Sequence, residues 1–309
     1  MAIRVASLDD TEAISRLFRG RIGVWQRLDA HGRVEDVPYE ALTLLERWVH
    51  GGAWMSVETA AVFLNHLLLG AGIPLVAVDD SGKRILGYAE AYHSQEAEPF
   101  GSSLHIEHLM VTHEDVSIAL LTALLERAKV LRARVTVNRV TDDYTLPDGY
   151  TLKTLSLLRR YTVAARQGQV FYRSVEQADA NPAQISGWMM PVGRFTSARH
   201  QWETHMARLW EAFPRGRSLH RQKLAAAGQD SFVVIEQEQY DPRAATVYTW
   251  AAKPVTPQTI TAIRDWAHRE GYRTLILAMT DEAAKVLGAE ADADAFTQET
   301  CALVPVPVS

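Results

Sequence analysis

Between Leu104 and Val140 the chain runs strand, helix, strand, and this block constrains the architecture more than any other stretch. In LHIEHLMVTHEDVSIALLTALLERAKVLRARVTV, Leu104 to Val111 reads as a strand. A helical run follows from about Asp115 to Leu131, and Arg134 to Val140 is strand-like again. The joint between first strand and helix is Thr112-His113-Glu114-Asp115-Val116-Ser117, a turn with neither glycine nor arginine.

The flanking segments extend the same alternation. Ile3 to Leu8 reads as a strand, and Asp9 or Asp10 caps a helix to about Arg19 with Ile14, Leu17 and Phe18 on one side. Tyr39 to Trp48 and Val57 to Leu69 read as helices separated by Gly51-Gly52. The turn Asp79-Asp80-Ser81-Gly82 joins two strands, Leu75 to Asp79 and Arg84 to His93, as a hairpin. Lys153 to Ala164 is a further strand, and Arg166 to Gln169 a short polar link. The order then recurs more faintly. Val170 to Val175 is a strand, and Pro182 to Phe213 is mostly helical with breaks at Pro191 and Gly193. Ser231 to Gln239 and Ala245 to Ala252 form a hairpin around Tyr240-Asp241-Pro242-Arg243. A helix, Pro257 to Glu270, closes at Gly271 and leads into the strand Thr274 to Met279. A short helix, Glu282 to Leu287, and a strand, Phe296 to Val304, complete the pattern.

Composition narrows the function classes. With 309 residues, 47% of them hydrophobic, the chain can fill two cores of ordinary size. Cut near Arg166, it carries 18 basic and 21 acidic residues before the cut, 14 and 16 after it. Neither half has the positive excess of a nucleic-acid binder. The lone Cys301 excludes an internal disulfide framework and a cysteine-based zinc site. The start, MAIRVASLDD, lacks the basic and apolar regions of a signal peptide, and the apolar stretch Ala60 to Val78 is interrupted by Asn65, His66, Gly70, Gly72 and Pro74. The expectation is a soluble cytoplasmic protein with no membrane partner.

The strand-helix-strand block, preceded by PLVAVDDSGKRILGYAEAYH, resembles the core of the GNAT N-acetyltransferase superfamily. The opening strand, acidic cap and amphipathic helix are also how such domains begin. After the second strand the family shows an Asn, then Phe-Tyr, then Gly-Phe. Here Asn138 is followed by Tyr144, Thr145, Gly149 and Tyr150. The fainter repetition makes the layout similar to mycothiol-synthase-type tandem acetyltransferases. The resemblance implies an α/β (α+β) protein of two tandem GNAT-like domains, residues 1–166 and 167–309, each a mixed, mostly antiparallel sheet flanked by helices.

It also implies a chemistry: acyl transfer from acetyl-CoA, as cosubstrate, to an amine of a small molecule or peptide. Backbone groups of Leu109, Met110 and Val111 would line the pantetheine arm, with Ser117 and Asn138 nearby. Glu107 matches a position where a carboxylate often serves as general base, and Tyr144 is the nearest candidate acid for the leaving thiolate. Strand alternation places His105 with Glu107 and turns His108 away, so these three do not form a metal site. No metal is expected. In the family, the turn before the helix carries Arg/Gln-x-x-Gly-x-Gly/Ala, whose amides hold the pyrophosphate. Here Val111 and Leu120 are 9 residues apart, closer than in that pattern, and Glu114 and Asp115 stand where the phosphates would arrive. This departure supports the alternative of a non-catalytic GNAT scaffold with a binding or structural role. Two features stay open. Arg194 to Lys223 holds seven basic residues together with Trp202, Trp210 and Phe213, which suits either an amphipathic helix or an anion-binding surface. Trp25, Trp48 and Trp54 suit either an acceptor pocket or a core. The assembly expected is a monomer or homodimer.

Overall fold

The computed structural model describes residues 1–139, 145–211, 213 and 217–306. Its elements are β1 (Ala2–Val5), α1 (Thr11–Arg19), β2 (Gln26–Leu28), β3 (Val34–Asp36), α2 (Leu44–Val49), α3 (Val57–His66), β4 (Ile73–Val78), β5 (Ile85–Gln95), β6 (Ser102–Val111), α4 (Glu114–Leu131), β7 (Arg134–Arg139) and β8 (Tyr150–Ala164). These are followed by β9 (Tyr172–Glu176), β10 (Met189–Val192), α5 (Ala198–His205), β11 (Leu219–Ala226), β12 (Gln229–Gln237), β13 (Ala244–Ala251), α6 (Pro257–Arg269), β14 (Thr274–Met279), α7 (Asp281–Ala284) and β15 (Asp292–Pro305).

Thirteen strands form one sheet in the order β1-β4-β5-β6-β7-β15-β8-β14-β13-β12-β11-β9, with β10 laid against β13. Only β6–β7 and β13–β14 pair in parallel along this path. Each parallel pair is bridged by one long helix, α4 or α6, as a parallel connection requires. The order is a near-palindrome about β15–β8. The strand beside β7 is β15, and the strand beside β14 is β8. Residues 1–166 and 167–309 thus each lend the other its inner strand. The result is the expected mixed, mostly antiparallel sheet flanked by helices, joined into a single surface.

Four apolar clusters follow from this layering. One lies under α4, with Ala89, Leu104, Ile106, Leu120, Leu124 and Val135; the opposite face holds Ile14, Phe18, Trp54, Leu64 and Tyr88 beneath α1 and α3. The other two cover the two faces around β12 and β13, one with Val233, Val247, Ile263 and Leu275, the other with Trp202, Phe232, Val234 and Trp250. The approach of α4 to β5 is close enough that a Cβ on Gly87 would sit 2.6 Å from Val116 Cγ1. Among the described residues no helix is long and apolar enough to cross a membrane.

Several elements differ from the sequence reading. The helix expected over Tyr39–Trp48 is a 3-10 turn, Tyr39–Ala41, and then α2, whose Thr43 and Glu46 form a reciprocal capping box. Among the described residues of the run Pro182–Phe213 only Ala198–His205 is α-helix; the rest includes two 3-10 turns, Pro182–Ile185 and Arg208–Trp210, and the short strand β10, with the breaks at Pro191 and Gly193 preceding the helix. The strand β11 falls where the sequence shows no strand pattern, because Arg221 and Lys223 mask its alternation. It pairs along its length with β12.

Candidate active site

The most informative irregularity is in β6. Against β5, Glu90 faces His108 and Ala91 faces Ile106, so Glu107 is an extra residue in the strand. Such a bulge bends and twists the strand locally. Here it coincides with the end of the parallel ladder, in which Ser103 to Ile106 pair with Arg134 to Val137. Past that point β6 continues to Val111 and β7 to Arg139 without being paired to each other, and the strands part. The bulge also corrects the alternation argument. His108 lies across from Glu90 and its ring meets Phe18 at 5.0 Å, so it shares the face of His105, which lies across from Tyr92.

Glu107 is one of a chain of buried and part-buried polar groups at this parting. Its Oε2 stands 3.3 Å from His200 Nδ1 and 3.9 Å from His105 Nε2. Burial alone would raise the Glu107 pKa; the facing His200, with smaller help from His108 and His105, outweighs it and holds the carboxyl at about 2. His200 shows the reverse. Burial would lower its pKa, but the Glu107 charge raises it above the ordinary value. His105, with 0% exposure, is pushed down to about 3, chiefly by burial, and is a neutral ring near pH 7. The ion pair is therefore Glu107 with His200, not with His105. His200 Nδ1 also lies 2.7 Å from Thr196 Oγ1, which accepts from Gln201 Nε2 at 3.0 Å.

Behind His200 the chain continues. Its ring packs on Tyr92 at 4.5 Å. Tyr92 and Tyr88 donate to Glu90 at 2.6 and 2.9 Å, and Trp54 Nε1 donates at 3.1 Å. Burial pushes both tyrosine pKa values well above 10, which keeps them donors. Trp54 is thus a core residue tied to this network. Trp48 packs against Trp210 at 4.5 Å, and Trp25 against Tyr39 and His50.

The remaining predicted residues are dispersed around the parting. Leu109 and Val111 pack toward the α4 side, Met110 toward Phe18 and Tyr88. Ser117 is buried in the first turn of α4, and its amide donates to the His113 carbonyl at 3.4 Å. Asn138 donates to the Phe195 carbonyl at 2.7 Å and accepts from Thr300 Oγ1 at 3.2 Å, so its side chain links β7 to β15 and the 195 bend. Tyr144 lies outside the described residues. At the α4 N-terminus His113 is extended, Glu114 and Asp115 fill the first turn, and Glu114 accepts from Thr145 Oγ1 at 2.8 Å. Two carboxylates on this turn suit the helix dipole and oppose a diphosphate. The strand edge fits a pantetheine arm; the turn does not fit the pyrophosphate.

The basic residues of 194–223 are absorbed by internal pairs. Arg194 is bound to Glu96, Arg199 to Glu203, Arg208 and Arg221 to Glu211, Arg217 to Glu236 and Lys223 to Asp230; Arg215 lies outside the described residues. Most of this segment is neither an amphipathic helix nor an open cationic surface.

A second parting exists between β13 and β14, whose parallel ladder stops at Thr246 and Ile276. There β10 takes the edge, pairing Met189 with Ala251 and Val192 with Thr249, and Gly193 N donates to the Ala278 carbonyl at 2.8 Å. Gly193 has φ +78, and a Cβ there would meet Val247 O and Tyr248 Cδ1 at 2.7 Å each. Only glycine fits this seat.

The chain as a whole is similar in fold to solved structures. A GCN5-related N-acetyltransferase from Anabaena variabilis matches 97% of this chain and 72% of its own, with TM-score 0.58 and 10% identity. One from Kribbella flavida matches 98% and 71%, with TM-score 0.54 and 14% identity. A probable N-acyltransferase from Enterococcus faecalis matches 99% and 72%, with TM-score 0.53 and 10% identity. The fold is the GNAT fold. No protein-family model and no curated protein matches the sequence.

Proposed function

We propose that the protein transfers an acyl group from an acyl-CoA, acetyl-CoA in the simplest case, to an amine of a small molecule or peptide, at the parting of β6 and β7. The observation that carries this reading is the coincidence of the Glu107 bulge, the open strand edge and the Glu107–His200 pair. The amine nitrogen forms the new C–N bond, the C–S bond breaks, and a proton leaves the amine while one is gained by the thiolate. Most of the rate would come from holding the two reactants together. Glu107 alone is a weak proton acceptor at a pKa of about 2. In our reading Glu107 orients His200, and His200 in its neutral form takes the amine proton. Its raised pKa then predicts activity that climbs as pH rises through a value above 6.5.

Two domains meeting near Arg166, with a site at the first that His200 of the second completes, and a cytoplasmic location belong to the same proposal. The acidic first turn of α4 favours the second reading, a scaffold that no longer handles coenzyme A. Titration calorimetry with acetyl-CoA separates them. Saturable heat that His200→Ala reduces supports transfer at this site; no heat at millimolar ligand sinks it and leaves the scaffold reading.

A further inference from the structure

Two guanidinium groups gather on one aromatic ring where α1 ends beside α2. The Arg19 and Arg47 guanidinium carbons lie 4.7 and 4.2 Å from the centroid of the Tyr39 ring. The ring is itself held in place: its hydroxyl donates to the Met55 carbonyl at 3.2 Å, and Trp25 packs edge-on against it at 5.1 Å. Both arginines are half-buried, each with its Nε covered. Their Nη groups reach the surface, and among the described residues they donate to no acceptor and pair with no carboxylate. Two cations on one ring stand within a screening length of about 10 Å, so they repel unless a negative group lies near. The carboxylates of the surrounding segments are engaged elsewhere. Glu12 pairs with Arg16 and Glu35 with Arg27, Glu46 accepts from the Thr43 amide, and Asp36 accepts from Gln26. Glu40 is exposed and enters no ion pair among the described residues. The fold thus fixes a double positive charge on a rigid support, and no side chain answers it.

We propose that Arg19 and Arg47 form a binding site for a phosphate dianion, free or as the monoester of a small molecule. Each guanidinium presents a fork of N–H donors that matches phosphate oxygens. The double charge favours a dianion over a carboxylate, which would leave one cation uncompensated. Tyr39 holds both guanidinium groups against its ring, which lowers the entropy lost when two long side chains close on a ligand. Neither arginine belongs to the Glu107–His200 chain of contacts, so this site and the proposed reaction stand or fall separately.

The test uses the full chain, titrated with inorganic phosphate, methyl phosphate and acetate at constant ionic strength while the arginine side-chain N–H resonances are followed. Near neutral pH at least one phosphate probe shifts the Arg19 and Arg47 resonances saturably, and acetate binds at least about tenfold more weakly. If only methyl phosphate does so, the ligand is a monoester; if both do, free phosphate suffices. Methyl phosphate binding weakens as pH falls through about 6, where the monoester becomes a monoanion. Arg19→Gln and Arg47→Gln each weaken phosphate binding by about tenfold or more. Arg84→Gln, at an exposed arginine with no ion pair among the described residues, changes it by less than about twofold. Unmoved Arg19 and Arg47 resonances, acetate bound as tightly as phosphate, binding indifferent to that pH step, undiminished binding in either site variant, or an equal loss in Arg84→Gln each overturns the proposal.

Discussion

The two partings in the sheet begin alike and end differently. In each, a parallel ladder of three or four residue pairs stops while the strands run on. Between β6 and β7 the parting is bordered by a bulge that sets a carboxylate against a histidine. Between β13 and β14 the chain fills the gap itself, with Met189–Val192 supplying strand pairing and Gly193 the tight seat. A strand edge exposes backbone donors and acceptors that must find partners. The second parting satisfies them from within; the first has no such inserted strand, and in our proposal a ligand meets them. That difference, more than any motif, assigns the proposed chemistry to the first.

The comparison can be broken most severely by removing residues 292–305. They pair with β7 and β8, which belong to opposite sides of the near-palindrome. Cooperative unfolding should be lost throughout, monitored by calorimetry and near-ultraviolet circular dichroism. A truncated chain in which one half still melted cooperatively would show that the partings are independent.

The next largest effect lies at the ion pair between them. Arg194→Met strands the buried Glu96 and should cost about 3–5 kcal/mol in urea unfolding, whereas Glu96→Leu/Arg194→Met should recover most of it. Gly193→Val probes the filled parting directly. Positive φ and overpacking each cost about 1–3 kcal/mol. The β10 segment should be dislodged, seen as new proteolytic cleavage near Met189. Continued protection would mean that β10 is not held by that glycine.

The smallest effect sharpens the open parting. His105 folds at a pKa of about 3 against an ordinary 6.5, so the unfolded chain binds its proton first. Stability should therefore fall as pH drops below about 6.5 toward 3, and His105→Gln should flatten that slope. Glu107 has the same sign in a lower window, since its pKa is also depressed: its contribution holds above its ordinary 4.5 and fades as pH falls toward 2. His200, with a raised pKa, contributes fully below 6.5 and less as pH rises through its folded value. The window from 4.5 to 6.5 thus leaves His105 together with His93, whose pKa burial also lowers, and the His105→Gln series separates the two.

The strand-helix-strand block was legible almost to the residue, because its elements are long and strongly patterned and the helix starts beside an acidic turn. Glu107 could be picked out as a strand residue in that block. Its partner could not: His200 lies far along the chain, and no spacing rule joins them. The bulge was also hidden, because an inserted residue leaves period-two alternation readable on both sides while swapping the face. Met189–Val192 escaped notice as a four-residue strand containing Pro191. The exchange of β8 and β15 has no local signature at all, since a strand carries the same apolar face whichever neighbour it meets.

That exchange has a bearing on synthesis. The outer flank of β7 is completed only by residues near 300, so a growing chain on the ribosome cannot finish its leading core until those residues have been translated. Contacts so distant in sequence slow folding and prolong exposure of unpaired edges. Late closure of both halves is the cost of an interlaced sheet.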